Sequence, residues 1–274
     1  MIKSLTSLRG IFILFIFFHH CLDLYPGGGT MAVAFFFVLG GFSMTLGYKE
    51  KVISTDFSYK QYITRRCIKF YPLHWLCLLA ALPFALIDFK AWHIPLFFVN
   101  ASLLQSWIPI KDVYFSYNAV SWYLADTLFF AIAFPFVIKW IVRASNRGRI
   151  IIAKLVTILY TSVALLVPQQ MHHAIFYINP CIRLTDFVFG IYIALLYLWL
   201  KEKPAKWWNG TVISQMLVFT FIALLVVESC ILSDEARLIA PVYWVLIGVV
   251  ILVTSLSGRI GGGRIYLKTR CCNA

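Results

Sequence analysis

Apolar residues run through this chain in blocks of about 20 positions, separated by short polar stretches rich in Lys and Arg. A block of that length crosses the ~30 Å hydrocarbon layer of a bilayer as an α-helix, because each residue adds about 1.5 Å. The pattern predicts spans at roughly 5–22, 30–48, 70–88, 118–138, 155–168, 182–200, 210–228 and 238–256. The segment IPLFFVNASLLQSWIP (94–109) is apolar but short and has proline at both ends. It predicts a half-inserted or interfacial helix. The fold class that follows is all-α: a polytopic membrane helix bundle of about eight transmembrane helices.

Composition strengthens this reading. Of 274 residues, 61% are hydrophobic and 13% are charged, whereas soluble domains are nearer half apolar and a quarter charged. The first apolar run is very aromatic and lacks a small-residue cleavage site after it, so it reads as a retained span. No internal repeat and no low-complexity segment stand out. Cys21, Cys67, Cys77, Cys181 and Cys230 show no metal-ligand spacing. The pair Cys271–Cys272 has Asn273 where a prenylation motif has an aliphatic residue. No metal site is expected.

The net charge of +13 acts through its distribution. All but four of the 24 Lys and Arg residues fall in alternate loops, the exceptions being Lys90, Lys111, Arg183 and Arg237. The positive-inside rule then places both termini in the cytoplasm and makes the span count even. The basic loops face an anionic leaflet, so the partner they imply is the bilayer. They form no single patch, which makes nucleic-acid binding the poorer reading; no nucleic-acid partner is expected.

The stretch FIFFHHCLDLYPGGG (15–29) ends an apolar run on two adjacent histidines. Arg9 and His20 are eleven residues apart, three helical turns plus about 20°, so they share a face roughly 16 Å apart along the axis. His19 points about 100° away. Ionisable groups in a span face the bundle interior or a wet cavity by default; the alternative is that Arg9 snorkels to the headgroups and the histidines cap the helix. Asp23, within reach of either imidazole, fits a histidine partner or a solvated residue of the YPGGG turn, the turn being favoured. His172 and His173, in QQMHHAIFYINP, read as ordinary residues of an outward loop.

Five stretches, in order, resemble the acyltransferase-3 family of integral membrane acyltransferases. SLTSLRGIFILFIFFHH is similar to the family's first span, with Arg-Gly near the inner face and histidine late in the helix. AVAFFFVLGGFSMTLGY resembles its FFVLSGF span, with Gly40 in place of serine. YITRRCIKFYPLHWLCLLAALP is similar to RRxxRIYPL, with Lys69 for the last arginine. NAVSWYLADTLFFAIAFPF resembles WSLSVExFFYLLFP, with Thr127 at the glutamate position and Asp126 before it. NPCIRLTDFVFGIYIALL is similar to NPxxRLPEFLLG, with Asp186 for glutamate. The family continues past its eighth span with a G-x-I-S-Y-x-x-Y-L-x-H segment and two final spans. SLSGRIGGGRIYLKTRCCNA does not resemble them. The expected division is a shortened transmembrane domain over 1–257 and a basic cytoplasmic tail over 258–274.

The resemblance implies transfer of an acyl group, often acetyl, from a cytoplasmic acyl-CoA to a hydroxyl, commonly on a glycan or lipid-linked sugar of the envelope. It implies location in a bacterial cytoplasmic (inner) membrane and acyl-CoA as a donor substrate, with no permanently bound cofactor. His20 takes the role of general base, working with Arg9. Arg66 and Lys69 take the donor's phosphates, with simple topology signalling as their other reading. Trp122 with Asp126, and Arg183 with Asp186, are placed to orient an acceptor; Arg183 and Asp186 fit a structural ion pair equally well. His74 reads as a buried polar neighbour. A transporter, or a catalytically inactive relative that keeps only the scaffold, remains the alternative.

Overall fold

The computed structural model describes residues 3–22, 28–85, 87, 90–202 and 241–269, with positions 216–217, 219–221, 223–224, 227 and 231–232. Its regular elements are all helical. The long helices are α1 (Lys3–Leu22), α2 (Gly28–Ile53), α3 (Tyr59–Ala85), α6 (Ser121–Arg143), α7 (Asn146–Leu166), α8 (Pro180–Lys201) and α9 (Pro241–Thr269). Two short ones, α4 (His93–Ala101) and α5 (Lys111–Tyr114), lie between α3 and α6. Five of them, α2, α3, α6, α7 and α8, are long and apolar enough to cross a membrane, and shorter apolar stretches occupy Leu5–Cys21 and Tyr243–Leu256. Ile68, Leu73, Leu76 and Leu79 on α3 and Leu155, Ile158, Leu159 and Leu165 on α7 are exposed. Such continuous apolar surface is untenable in water. The chain is a multi-pass membrane protein.

The sequence pattern located these helices but understated their lengths. The helix expected at 70–88 begins at Tyr59, and the one expected at 155–168 begins at Asn146. Apolar periodicity marks the part in hydrocarbon, whereas backbone hydrogen bonding continues through the headgroup zone, where Lys and Arg stems lie along the helix. Ser145 starts α7 by accepting a hydrogen bond from the Gly148 N–H at 3.1 Å. Arg149 closes the turn from the other side, donating to the carbonyls of Ile141 and Val142 at the end of α6. An arginine that reads as a topology signal thus also caps a helix. The segment 94–109 takes in all but the first residue of the nine-residue α4 and a 3-10 turn over Gln105–Trp107. At about 1.5 Å per residue, α4 falls well short of the bilayer thickness. The span expected at 210–228 falls largely outside the described residues, although Met216, Leu217, Phe219, Phe221 and Leu224 are helical. Asp23 also lies outside them.

The chain divides into two compact units, residues 1–46 with 186–274, and residues 47–185. In the first, Leu5, Leu8 and Phe12 of α1 are buried against Met31, Phe35, Val38 and Leu39 of α2. Phe12 lies flat on Phe35, ring centroids 3.7 Å apart. Where α2 passes α8, two glycines let the backbones touch. A methyl on Gly41 would strike the carbonyl of Phe187, and one on Gly190 would strike the carbonyl of Val38. Close approach at small residues is a common way to pack helices in lipid, where burial itself supplies little drive.

In the second unit α3 packs on α6 and α4. Tyr62 donates its hydroxyl hydrogen to the Ala131 carbonyl at 2.9 Å. His74, Asn100, Gln105, Ser106 and Ser121 form buried polar positions among apolar neighbours. The His74 Nε2 atom lies 2.8 Å from the Asn100 carbonyl, and Gln105 donates to Ser121 at 3.0 Å. These two bonds pair polar groups that lipid would not, and tie the irregular stretch between α3 and α6 to the helices beside it.

Candidate functional site

The buried stripe of α1 runs Leu5, Leu8, Phe12, and continues through half-buried Phe15 and Ile16 to His19. Those spacings of three and four keep one face toward α2. His19 completes the stripe and is wedged against Gly29, where even a methyl would overlap its ring. His20 is turned about 100° aside and is exposed. The two rings are 5.1 Å apart between centroids. Arg9 lies on the same flank as His20, as their spacing requires, and its Nη2 donates to Ser43 of α2 at 3.0 Å. The first span therefore presents one packed imidazole, one accessible imidazole, and an arginine held by a neighbouring helix.

Asp186, in the same unit, is fully buried. Its Oδ1 accepts the indole N–H of Trp244 at 2.6 Å, and that indole stacks on Phe189 at 5.3 Å. A short bond to a buried carboxylate is charge-assisted and directional. It ties α8 to α9 through residues 58 apart in the chain, a pairing with no local signal.

In the second unit, Arg66 is set into aromatic surroundings. Its guanidinium lies 4.5 Å from the Tyr48 ring centroid and 5.1 Å from that of Tyr62. Aromatic faces attract a cation through their quadrupoles and hold the planar group in one orientation. The Arg66 Nη2 atom is buried. Lys69, one turn later, is exposed, and its ammonium lies 5.9 Å from the Phe70 ring. The two cations of the RRCIKFYP motif thus differ in setting, one between two tyrosine rings and one exposed.

Trp122, Asp126 and Arg183 are all buried. Trp122 rests against Tyr177, centroids 4.9 Å apart, and the Arg183 guanidinium is 5.9 Å from that same ring. Tyr177 therefore joins two residues that the sequence read as separate pairs. Thr127, at the family's glutamate position, bonds back to the Tyr123 carbonyl of its own helix at 2.8 Å, so the buried acid here is Asp126. Nearby, Nδ1 of His173 is 3.2 Å from the Tyr114 hydroxyl. Burial, and then the charge of Lys111, lowers the His173 pKa below the ordinary histidine value. His173 reads from sequence as a loop residue; the structure makes it a partly buried partner of Tyr114. Among the described residues no group of three or more His, Cys, Asp or Glu side chains is placed to hold a metal ion.

Comparison with known proteins adds to this geometry. The chain is 26% identical over 211 residues to the acyltransferase MdmB of Streptomyces mycarofaciens. That alignment takes in 69% of this chain and 51% of the relative, so the chain spans about half the length of the curated relative it matches. No solved structure matches. The family model of the acyltransferase-3 type, described as an acyltransferase domain, matches residues 2–267, nearly the whole sequence. By that match the chain belongs to the acyltransferase-3 family.

Proposed function

We propose that this protein is a membrane-bound O-acyltransferase of the bacterial cytoplasmic membrane. It moves an acyl group, acetyl in the first instance, from a cytoplasmic acyl-CoA to a hydroxyl of a cell-envelope or exopolysaccharide sugar. The observation that carries this reading is the state of Arg66. Two tyrosine faces hold its guanidinium, and its Nη2 atom is buried. A guanidinium oriented in this way and partly withdrawn from water makes strong charge-assisted hydrogen bonds to an anion. The phosphates of CoA are such an anion at the basic end of α3, with Lys69 adding a charge without bidentate geometry.

His20 supplies the base. Its exposed ring is open to an acceptor, whereas His19 is committed to packing against Gly29. The imidazole removes the acceptor's hydroxyl proton as the oxygen attacks the thioester carbonyl. A C–O bond forms, the C–S bond breaks, and the proton passes to the departing CoA sulfur. General-base help of this kind is worth about 10²–10⁴ in rate. Arg9, fixed by Ser43, orders the inner end of the same helix. Trp122, Asp126, Arg183 and Asp186 are the residues assigned to the acceptor side. The test is transfer of label from radiolabelled acetyl-CoA into a glycan or lipid fraction of membranes containing the protein, paired with mass spectrometry of envelope glycans with and without the gene. Absence of label from every such fraction, with the protein present and inserted, would remove the reading.

A further inference from the structure

Two tyrosines of α3, Tyr59 and Tyr62, reach across to the same turn of α6. Just beyond that turn the helix carries an internal proline, Pro135. Proline has no N–H, so the carbonyl four residues back, on Ala131, lacks its helical donor. In a membrane helix such a group is met by a neighbouring helix. Tyr62 is buried and meets it, donating its hydroxyl hydrogen at 2.9 Å. Tyr59 makes the adjoining bond, its hydroxyl donating to the Ile132 carbonyl at 3.3 Å.

The two tyrosines differ in what else they touch. Tyr59 is exposed, and its ring lies against Phe136 at 5.3 Å. Tyr62 shares a helical face with Arg66, four residues on. The Arg66 guanidinium lies 5.1 Å from the Tyr62 ring centroid, and it is also a hydrogen-bond partner of the Tyr62 hydroxyl. Tyr48, near the end of α2, completes the seat, its ring 4.5 Å from the guanidinium and 5.7 Å from the Tyr62 ring. Phe57 packs on Tyr62 at 5.7 Å, and the Lys139 ammonium, one turn past Pro135, lies 5.2 Å from the Phe57 ring. Tyr62 is therefore tied to α6 at its hydroxyl and packed by Tyr48 and Phe57 at its ring.

An arginine side chain has several rotatable bonds, and its planar fork binds phosphate best when already oriented. We propose that Tyr62 is a positioning residue for the acyl donor. The carbonyl that Pro135 leaves open holds the Tyr62 hydroxyl, and Tyr62 in turn holds the Arg66 guanidinium ready for a phosphate. This rests on the reading of Arg66 as the donor's anion site and names the device that sets it.

The experiment titrates coenzyme A into the full chain in phosphatidylcholine nanodiscs by calorimetry and records the melting temperature of each preparation. Arg66→Ala should weaken binding about tenfold or more. Tyr62→Phe keeps the ring and removes the hydroxyl, and should weaken binding by roughly threefold to tenfold, part of one charge-assisted contact. In the Arg66→Ala background it should weaken binding no further, because it acts through Arg66. Tyr59→Phe removes the adjoining bond to the same turn of α6, so its melting temperature should fall while coenzyme A affinity is kept. Pro135→Ala reaches the Tyr62 bond without altering Tyr62, by giving the Ala131 carbonyl a competing helical donor. It should weaken binding at least about twofold, again only while Arg66 is present. Wild-type affinity in both Tyr62→Phe and Pro135→Ala, with Arg66→Ala impaired, would overturn the positioning role and leave Arg66 as the donor site. An equal loss in Tyr59→Phe, or a Tyr62→Phe loss that persists in full on top of Arg66→Ala, would show general loosening of the α3 and α6 packing and overturn it too. Unchanged affinity in Arg66→Ala would remove the donor reading, and the proposal with it.

Discussion

The crossing of α2 and α8 gives a sharp mechanical prediction. Replacing Gly41 with alanine puts a methyl against the Phe187 carbonyl, with the Phe187 carbonyl carbon 2.9 Å away and the Ile191 nitrogen 3.1 Å away. Carbon atoms in contact normally stand about 3.5–4.0 Å apart, so the helices must part by on the order of 1 Å. Every obstructing atom is backbone, and no side-chain rotation relieves it. Overpacking of this kind costs about 1–3 kcal/mol. Gly190→Ala meets the same obstruction from the other helix, with the Val38 carbonyl carbon at 2.8 Å and the Phe42 nitrogen at 3.0 Å. Because one separation relieves both methyls, the double variant should lose less than the sum of the single losses. Gly40→Ala is the control. Its methyl would meet the Phe187 ring at 3.7 Å, an ordinary contact, and alanine is the better helix former by about 1 kcal/mol. The assay is unfolding of the detergent-purified protein by heat or by sodium dodecyl sulfate titration. Gly41→Ala as stable as Gly40→Ala would refute the backbone crossing.

Three further outcomes follow from other parts of the molecule. Arg66→Ala should weaken acyl-CoA binding about tenfold or more by loss of a charge-assisted contact, and Arg66→Lys should restore the charge without full affinity; donor affinity unchanged in both would return Arg66 to topology signalling. For His173, a pKa lowered by burial and Lys111 has no effect on stability above about pH 6.5, where native and unfolded imidazoles are both neutral. As pH falls below that value the unfolded chain takes up a proton the native state resists, so the melting temperature should fall between pH 7 and 5. His173→Gln should flatten that slope, and a slope identical to wild type would exclude His173 as its source. Reporters fused after residues 205 and 174 should read cytoplasmic and external respectively, and reversed readings at both would refute the orientation drawn from the loop charges.

The bundle was legible in the sequence because lipid imposes a simple rule: an apolar block of about 20 residues has few structures open to it besides a helix. Helix ends were less legible, as α3 shows, since the residues from Tyr59 to Lys69 are polar and basic yet helical. The relation of His19 to His20 was partly readable. Angular spacing put Arg9 and His20 on one flank, but only the Leu5, Leu8, Phe12 stripe, taken with Gly29, shows which imidazole is packed. The resemblance to the family carried the choice of Arg66, while its seat between Tyr48 and Tyr62 had no motif. Likewise the bond from Trp244 to Asp186 and the ring of Tyr177 beside Trp122 and Arg183 depend on tertiary packing. No periodicity or local spacing encodes them.

The most direct test of the account separates the two imidazoles of the first span. Labelled acetyl-CoA is supplied to membranes containing the full chain, and transfer to the glycan or lipid fraction is compared for wild type, His20→Ala and His19→Ala at equal inserted protein. The account predicts that His20→Ala loses transfer, a fall of at least about 10²-fold for a missing general base, with insertion intact. His19→Ala is predicted to keep measurable turnover, its ring being a packing element against Gly29. Transfer by His20→Ala equal to wild type, or loss confined to His19→Ala, would contradict the assignment.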